Sequence, residues 1–299
     1  MLPQSPAVFL KGVFMYKSDA WKDFEILDTG DGEKLERWGD VLLRRPDPQA
    51  IWPKDPSFSW DRVDAHYVRS SKGGGSWTFY RELPESWQIS YRDLNFIVHP
   101  TGFKHTGLFP EQAANWDYMT ERIRSAGRPV NVLNLFGYTG GATVACAAAG
   151  ASVCHVDAAK SMVSWAKDNA ARSNLSSAPI RYIVDDCEKF VSREIRRGRK
   201  YDAIVMDPPS YGRGPGGEVW RLEEKIADLL LLCRQVLSDR PLFFILNAYT
   251  TGLQPIVLSD LLKWALSGLD GTIEAQEVGL PTRRGLILPC GAAGRYTGE

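Results

Sequence analysis

From residue 130 onward, apolar runs alternate with longer stretches of helical period. The runs are VNVLNLF, SVCHVD, IRYIVDD, YDAIVMDPP and LFFILNAY, rich in Val, Ile, Leu and Phe and without polar alternation. Such runs are expected of parallel strands buried on both faces. Between them the spacing predicts helices over 141–149, 160–174, 187–197, 222–237 and 254–266. The pattern is that of an α/β protein with a doubly wound, Rossmann-like sheet. Two further β-segments about a turn apart, TIEAQEVGL and RGLILPC, predict a C-terminal antiparallel hairpin at one sheet edge.

Up to about residue 100 the texture differs. Proline and glycine break the chain (RRPDPQAIWPKDPSFSWD, SSKGGGSW), and six of the ten tryptophans fall there among short apolar runs such as DFEILD and DVLLRR. This predicts a small β-rich domain over 1–100, followed by an α/β domain over 101–299 that opens with a covering helix over 109–124.

Composition narrows the class. The chain has 299 residues, 44% hydrophobic and 24% charged, a globular profile rather than a disordered one. Lys plus Arg and Asp plus Glu both total 36, so no overall basic field announces a nucleic-acid binder, although a local basic face stays open. Five cysteines, Cys146, Cys154, Cys187, Cys233 and Cys290, show no CxxC pairing and lie in apolar segments, as in a reducing cytoplasm. The first residues lack a secretory leader, and no apolar stretch reaches about 18 residues, so a soluble cytoplasmic protein is expected. His66, His99, His105 and His155 show no metal-ligand spacing, and no metal is expected; His155, inside a strand, reads as a core histidine.

Candidate chemistry gathers at the strand ends. In an open α/β sheet, ligands bind beyond the carboxyl ends of the strands where strand order reverses. Gly137, Gly140 and Gly141 follow the first run and permit a tight turn that opens a helix, and Asp157 comes 20 residues after Gly137 at the end of the next strand. Glycines at that place let backbone approach a ligand, and the acid suits the two hydroxyls of a ribose. A plain structural alternative is close strand–helix packing, with Asp157 capping the helix that begins near Ala158. A third strand ends in Asp185–Asp186, and a fourth in Asp207-Pro208-Pro209-Ser210. The order G-x-x-G-G departs from the dinucleotide pattern, and a rigid Asp-Pro-Pro lip suits the positioning of a nucleophile rather than hydride transfer.

VLNLFGYTGGATVACAAAGA, VDAAKSMVSWAKDNA, IVDDCEKF and YDAIVMDPPSYGRG, with GFKHTGLFPEQ upstream, resemble class I S-adenosylmethionine-dependent methyltransferases. More narrowly, they resemble the branch of large-subunit ribosomal RNA methyltransferases acting on cytosine C5 and guanine N7, over about residues 95–290. The resemblance implies S-adenosylmethionine as cofactor. It implies that Asn134, Phe136, Gly137, Tyr138, Thr139 and Gly140 face the methionine part, and that Asp157 takes the ribose with Ala158 and Ser161 beside it. Asp185, Asp186 and Cys187 would surround the adenine, Asp207 and Pro208 would lie near the sulfonium, and Thr106, Phe109 and Gln112 would fold over the cofactor.

Methylation of cytosine C5 requires a cysteine nucleophile in the cleft. The positions that carry it in related enzymes hold Ser210 and the segment 247–252 here, so direct transfer to a nitrogen or oxygen is expected, with Asp207, Pro208, Pro209 and Ser210 as the catalytic turn. The glycine-rich loop 210–220 suggests closure over a substrate, with Tyr211, Arg213 and Asn247 as contacts. Arg193, Arg196, Arg197, Arg199 and Lys200, and separately Arg283 and Arg284, are candidates for phosphate contacts of an RNA substrate, expected to be ribosomal RNA. The rivals are a methyltransferase acting on a small molecule or protein, a nicotinamide oxidoreductase, and a catalytically silent RNA-binding module.

Overall fold

The computed structural model describes residues 15–70, 74–213, 219–250 and 252–299. In chain order, the short strand β1 (Met15–Lys17) precedes an antiparallel set, β2 (Phe24–Gly30), β3 (Glu33–Trp38), β4 (Val41–Pro46), β5 (Ala65–Arg69) and β6 (Gly75–Phe79), joined into one sheet in that order. Only the β4–β5 pair in it is parallel. A hairpin of β7 (Trp87–Tyr91) and β8 (Leu94–Val98) leads through a 3₁₀ turn, Pro110–Gln112, into α1 (Ala113–Ser125). The α/β part then runs β9 (Asn131–Leu135), α2 (Gly141–Ala148), β10 (Ser152–Asp157), α3 (Lys160–Arg172), β11 (Ile180–Val184), α4 (Cys187–Arg196) and β12 (Ala203–Met206). A small hairpin, β13 (Tyr211–Arg213) and β14 (Val219–Arg221), precedes α5 (Leu222–Val236), β15 (Phe243–Ala248), α6 (Pro255–Ala265), β16 (Gly271–Pro281) and β17 (Ile287–Gly298).

The central sheet has eight strands in the order β1-β16-β17-β15-β12-β9-β10-β11. β15, β12, β9, β10 and β11 are parallel, as the unbroken apolar runs require, and β9, β12 and β15 are buried almost throughout. Wholly buried in β10, His155 bonds to Thr143 Oγ1 at 2.9 Å, and burial pushes its imidazole down to about 4. This is a core histidine.

Two expectations are corrected, and one further packing feature is seen. The first helix starts at Ala113 rather than at 109, because Phe109 is extended (φ −114°, ψ 94°) and Pro110 opens a 3₁₀ turn first. The C-terminal hairpin is not at the sheet edge: β1 pairs parallel with β16, Met15 opposite Glu277, and takes the edge. Packing is continuous across the boundary expected near residue 100. Phe24, Trp38, Ile89 and Phe96 belong to the same hydrophobic cluster as Trp116, Val132 and Phe243. Hydrogen bonds explain the fusion: Ile97 N donates to Asn169 Oδ1 at 2.8 Å, Trp165 Nε1 donates to the Ile97 carbonyl at 3.0 Å, and Ser173 Oγ accepts from Asn95 N at 2.9 Å. The hairpin β7–β8 thus lies directly on α3.

Candidate active site

β9 sits between β10 and β12, and the chain leaves it toward β10 and β11 on one side and β12 and β15 on the other. Strand order reverses there, so a crevice opens between the carboxyl ends of β9 and β12. The turn leaving β9 is tightly specified. Phe136 and Tyr138 take positive φ (54° and 49°), and Gly140 (φ 84°) caps α2. At Gly137 a Cβ would stand 2.4 Å from the His155 ring, so the buried histidine enforces glycine there. Thr139 Oγ1 donates to the Gly107 carbonyl at 2.5 Å, which ties the segment before α1 to this turn.

Asp157 serves the turn and the next helix at once. Its Oδ2 accepts from Tyr138 N at 2.9 Å and its Oδ1 from Ala159 N at 2.8 Å, and burial raises its carboxyl against the lowering effect of those two bonds. Each oxygen keeps a further lone pair for a hydroxyl. At the end of β11, Asp186 caps α4 by accepting from Lys189 N at 2.9 Å, and Cys187 Sγ accepts from Phe136 N at 3.4 Å.

Asp207 follows β12. Its Oδ1 is buried and has no hydrogen-bond partner among the described residues. Burial first, and then the nearby charge of Glu111, push its carboxyl up to about 7. Beneath it lies a polar network. Asn247 Nδ2 donates to the Met206 carbonyl at 3.3 Å, Asn115 Nδ2 donates to Asn247 Oδ1 at 2.9 Å and to Gln112 Oε1 at 2.8 Å, and Gln112 Nε2 donates to Tyr249 Oη at 2.7 Å.

Phe109, Phe136, Tyr138, Asp157, Ala158, Asp186, Cys187, Asp207, Pro208 and Pro209 line one cleft of about 680 Å³. Other candidates lie around it rather than in its lining. Asn134, Thr139 and Gln112 are buried and engaged in internal bonds, Gly137 and Gly140 shape the turn, and Thr106 is fully buried with its Oγ1 unpartnered among the described residues. Ser161 is exposed on α3, and Asp185 forms an ion pair with Arg193. Ser210 Oγ accepts from Thr250 Oγ1 at 2.6 Å, and Tyr211 is exposed in β13. The side chain of Arg213 lies outside the described residues. Asn247, expected as a substrate contact, is 1% exposed beneath β12 and instead holds Met206.

The arginine clusters are mostly internal ties. Arg197 pairs with Glu194 at 3.0 Å, Arg283 with Glu25 at 2.5 Å, and Arg284 donates to the Pro53 carbonyl at 2.8 Å, joining the β16–β17 turn to the N-terminal sheet.

Sequence reasoning missed a whole wall of the cleft. Lys34, Glu36, Arg45 and Asp47 reach it from β3, β4 and the residue after β4, and Lys104, Glu111, Trp220, Tyr249 and Cys290 complete it. Arg45 donates to both oxygens of Glu36, at 2.5 and 2.8 Å, with both residues buried. A buried charge in a strand is a signal in principle, but only the β3–β4 pairing shows which charges face inward. Trp220 Nε1 donates to the Pro209 carbonyl at 2.7 Å and its ring packs on Phe136 (centroids 5.1 Å apart), so it braces the Asp-Pro-Pro turn against the β9 turn.

The family described as S-adenosylmethionine-dependent methyltransferase matches residues 60–233. A solved SAM-dependent methyltransferase from Agrobacterium tumefaciens is 38% identical and superposes with a TM-score of 0.90, covering 96% of this chain and 94% of that one. A candidate SAM-dependent methyltransferase from Streptococcus mutans, 18% identical with a TM-score of 0.73 over 93% of this chain and 76% of that one, shares the fold. Among curated proteins, ribosomal RNA large subunit methyltransferase K/L of Shewanella frigidimarina is 30% identical over 196 residues, 65% of this chain and 26% of the relative. Its namesake from Shewanella baltica is 38% identical over 179 residues, 58% of this chain and 23% of the relative. The chain spans about a quarter of the length of these curated relatives.

Proposed function

The chain belongs to the S-adenosylmethionine-dependent methyltransferase family, and on that premise we propose that it methylates a base in ribosomal RNA by direct transfer to a nitrogen or oxygen, without a cysteine adduct. The observation that carries this reading is the buried Oδ1 of Asp207, without a hydrogen-bond partner among the described residues, on the rigid Pro208-Pro209 lip of the cleft. The names of the curated relatives support ribosomal RNA as the substrate.

The residues present fit the cofactor. Asp157 and Asp186 place carboxylates at two strand ends, suited to hydroxyl and amine donors, and Phe109, Phe136 and Cys187 give the cleft apolar walls. When bound, the cofactor supplies a methyl group activated on a sulfonium. The rest falls to the chain. Asp207 accepts a hydrogen bond from the N–H or O–H of the target and takes up its proton, for which a carboxyl raised to about 7 is well matched near neutral pH. Pro208 and Pro209 lack N–H groups and fix the backbone, so the acceptor is held in one orientation.

Two thiols, Cys187 and Cys290, line the cleft, and burial pushes both well above the usual cysteine range. They are poor nucleophiles in that state, which supports direct transfer. Mass spectrometry of nucleosides from ribosomal RNA of cells with and without the gene tests the proposal. Loss of one N- or O-methylated base supports it. Unchanged ribosomal RNA, or loss of a 5-methylcytosine, contradicts it.

A further inference from the structure

The N-terminal sheet ends in an aromatic face on β6. Trp77 and Phe79, two residues apart on β6, share one side of the strand with rings 6.3 Å apart and 27° from parallel, and Tyr67 packs edge-on against Trp77 at 5.5 Å. Trp77 Nε1 donates to the carbonyls of Thr101 and Phe103, both at 3.0 Å, and so fastens the loop after β8 onto this face. Buried anchoring ends there, for Phe79 is 52% and Phe103 69% exposed. An exposed aromatic on each side of an anchored tryptophan is costly to leave in water without a partner.

Cations adjoin the aromatics. Lys104 follows Phe103, and Arg69 lies opposite Gly75 on the neighbouring strand β5; both line the cleft that contains Asp207. Within the cleft wall the cations of the N-terminal sheet's β3 and β4 are matched, since Arg45 is held by Glu36 while Lys34 lies 3.3 Å from Asp47. Among the described residues, neither Arg69 nor Lys104 forms an ion pair. Burial first, and then the charges of Lys34, Arg45 and Arg69, disfavour the Lys104 ammonium and outweigh the favourable charge of Asp47, and an anion placed between Lys104 and Arg69 would relieve that crowding.

We propose that Phe79, Phe103, Arg69 and Lys104 form a docking platform for single-stranded RNA flanking the target base, the rings stacking on bases and the cations holding phosphates at the cleft mouth. Stacking on exposed rings beside a cationic track is how unpaired strands are held without sequence readout, and a duplex offers no free base faces to such a surface. The platform rests on the RNA-methylating reading of the cleft. It adds which face binds the substrate, and that the target must lie in an unpaired segment.

Fluorescence anisotropy of the full chain with a labelled mixed-sequence RNA of about 12 nucleotides, within the site size usual for such grooves, tests the proposal. Phe103→Ala and Phe79→Ala should each weaken binding by about fivefold or more, and Phe103→Trp should retain it. Arg69→Gln combined with Lys104→Gln should lower the slope of log K against log salt by about 1.4, the loss of two single-strand phosphate contacts. Circular dichroism reports whether each variant is folded, and calorimetry with S-adenosylhomocysteine should show unchanged affinity in the Phe79 and Phe103 variants, neither of which lines the cleft. Wild-type affinity for the single strand in the Phe79→Ala/Phe103→Ala double variant, or tighter binding of a duplex of the same length, overturns the platform and leaves the RNA reading standing. Failure of the wild-type chain to bind any RNA at low salt overturns both.

Discussion

The carboxylate of Asp157 accepts the backbone N–H of Tyr138 at 2.9 Å, so the acid at the end of β10 holds in place the strained turn at the end of β9. Its other oxygen accepts from Ala159 N, the residue that precedes α3. Holding the helix entry and the proposed ribose recognition are therefore compatible in one side chain rather than alternatives. Asp157→Ala should weaken S-adenosylmethionine binding by about 1.5–3 kcal/mol, the loss of hydrogen bonds to a charged acceptor. Calorimetry of the folded variant checks this, and unchanged affinity removes Asp157 from the site.

Cysteine should be dispensable. Cys187→Ser and Cys290→Ser are expected to keep turnover within a few-fold of wild type, because neither thiol is readily ionised in its buried place. Denaturing gels of RNA reactions provide the check. A covalent RNA–protein band that disappears in one variant would return the reaction to the C5 route.

Asn247 should act on stability, not on substrate affinity. Asn247→Ala leaves the Met206 carbonyl and Asn115 Nδ2 short of a partner in the interior, at a cost of about 1–3 kcal/mol. Urea unfolding and the KM for RNA separate the two roles. A raised KM with unchanged stability would restore Asn247 as a substrate contact.

The N-terminal sheet should be sensitive to acid through Glu33. Burial alone would raise this carboxyl, but hydrogen bonds from Arg44, Lys54 and His66 and the Arg44 charge outweigh it and hold the group at about 2. Since the folded value lies below the unfolded one, the stabilisation is present above pH ~4.3 and is lost as pH falls toward ~2. Wild type should exceed Glu33→Gln in stability by up to about 3 kcal/mol at pH 7, and the gap should close across that acid window. A gap that does not change with pH would mean that the pairs contribute nothing net.

Much of the α/β part was legible because its signals are local. The run SVCHVD is the strand Ser152–Asp157, and the helices expected over 160–174 and 187–197 are observed as Lys160–Arg172 and Cys187–Arg196. The glycine at 137 was legible as a tight turn, but the reason for it is His155, 18 residues away and visible only in three dimensions. What stayed hidden depends on long-range pairing. β1 joins β16 across more than 250 residues, and Glu36 with Arg45 looks like an ordinary polar strand pair until β3 and β4 turn both charges into the cleft. Asn247 misled for the same reason: a strand-end asparagine reads as a cleft residue, and only its bond to the Met206 carbonyl shows it pointing beneath β12.

Asp207 is the centre of the proposed chemistry, and the most direct measurement is the pH dependence of kcat for wild type and Asp207→Asn, with tritiated methyl transfer to RNA isolated from cells lacking the gene. The carboxyl is raised to about 7, and only its ionised form accepts the target proton, so wild-type kcat should rise with pH and level off above about 7. Asp207→Asn should lower kcat by about 10²-fold and abolish that rise, while the affinity for S-adenosylhomocysteine changes far less. A folded Asp207→Asn enzyme with nearly wild-type kcat and the same pH profile, altered only in thermal stability, would contradict the assignment and leave Asp207 as a structural cap on the turn.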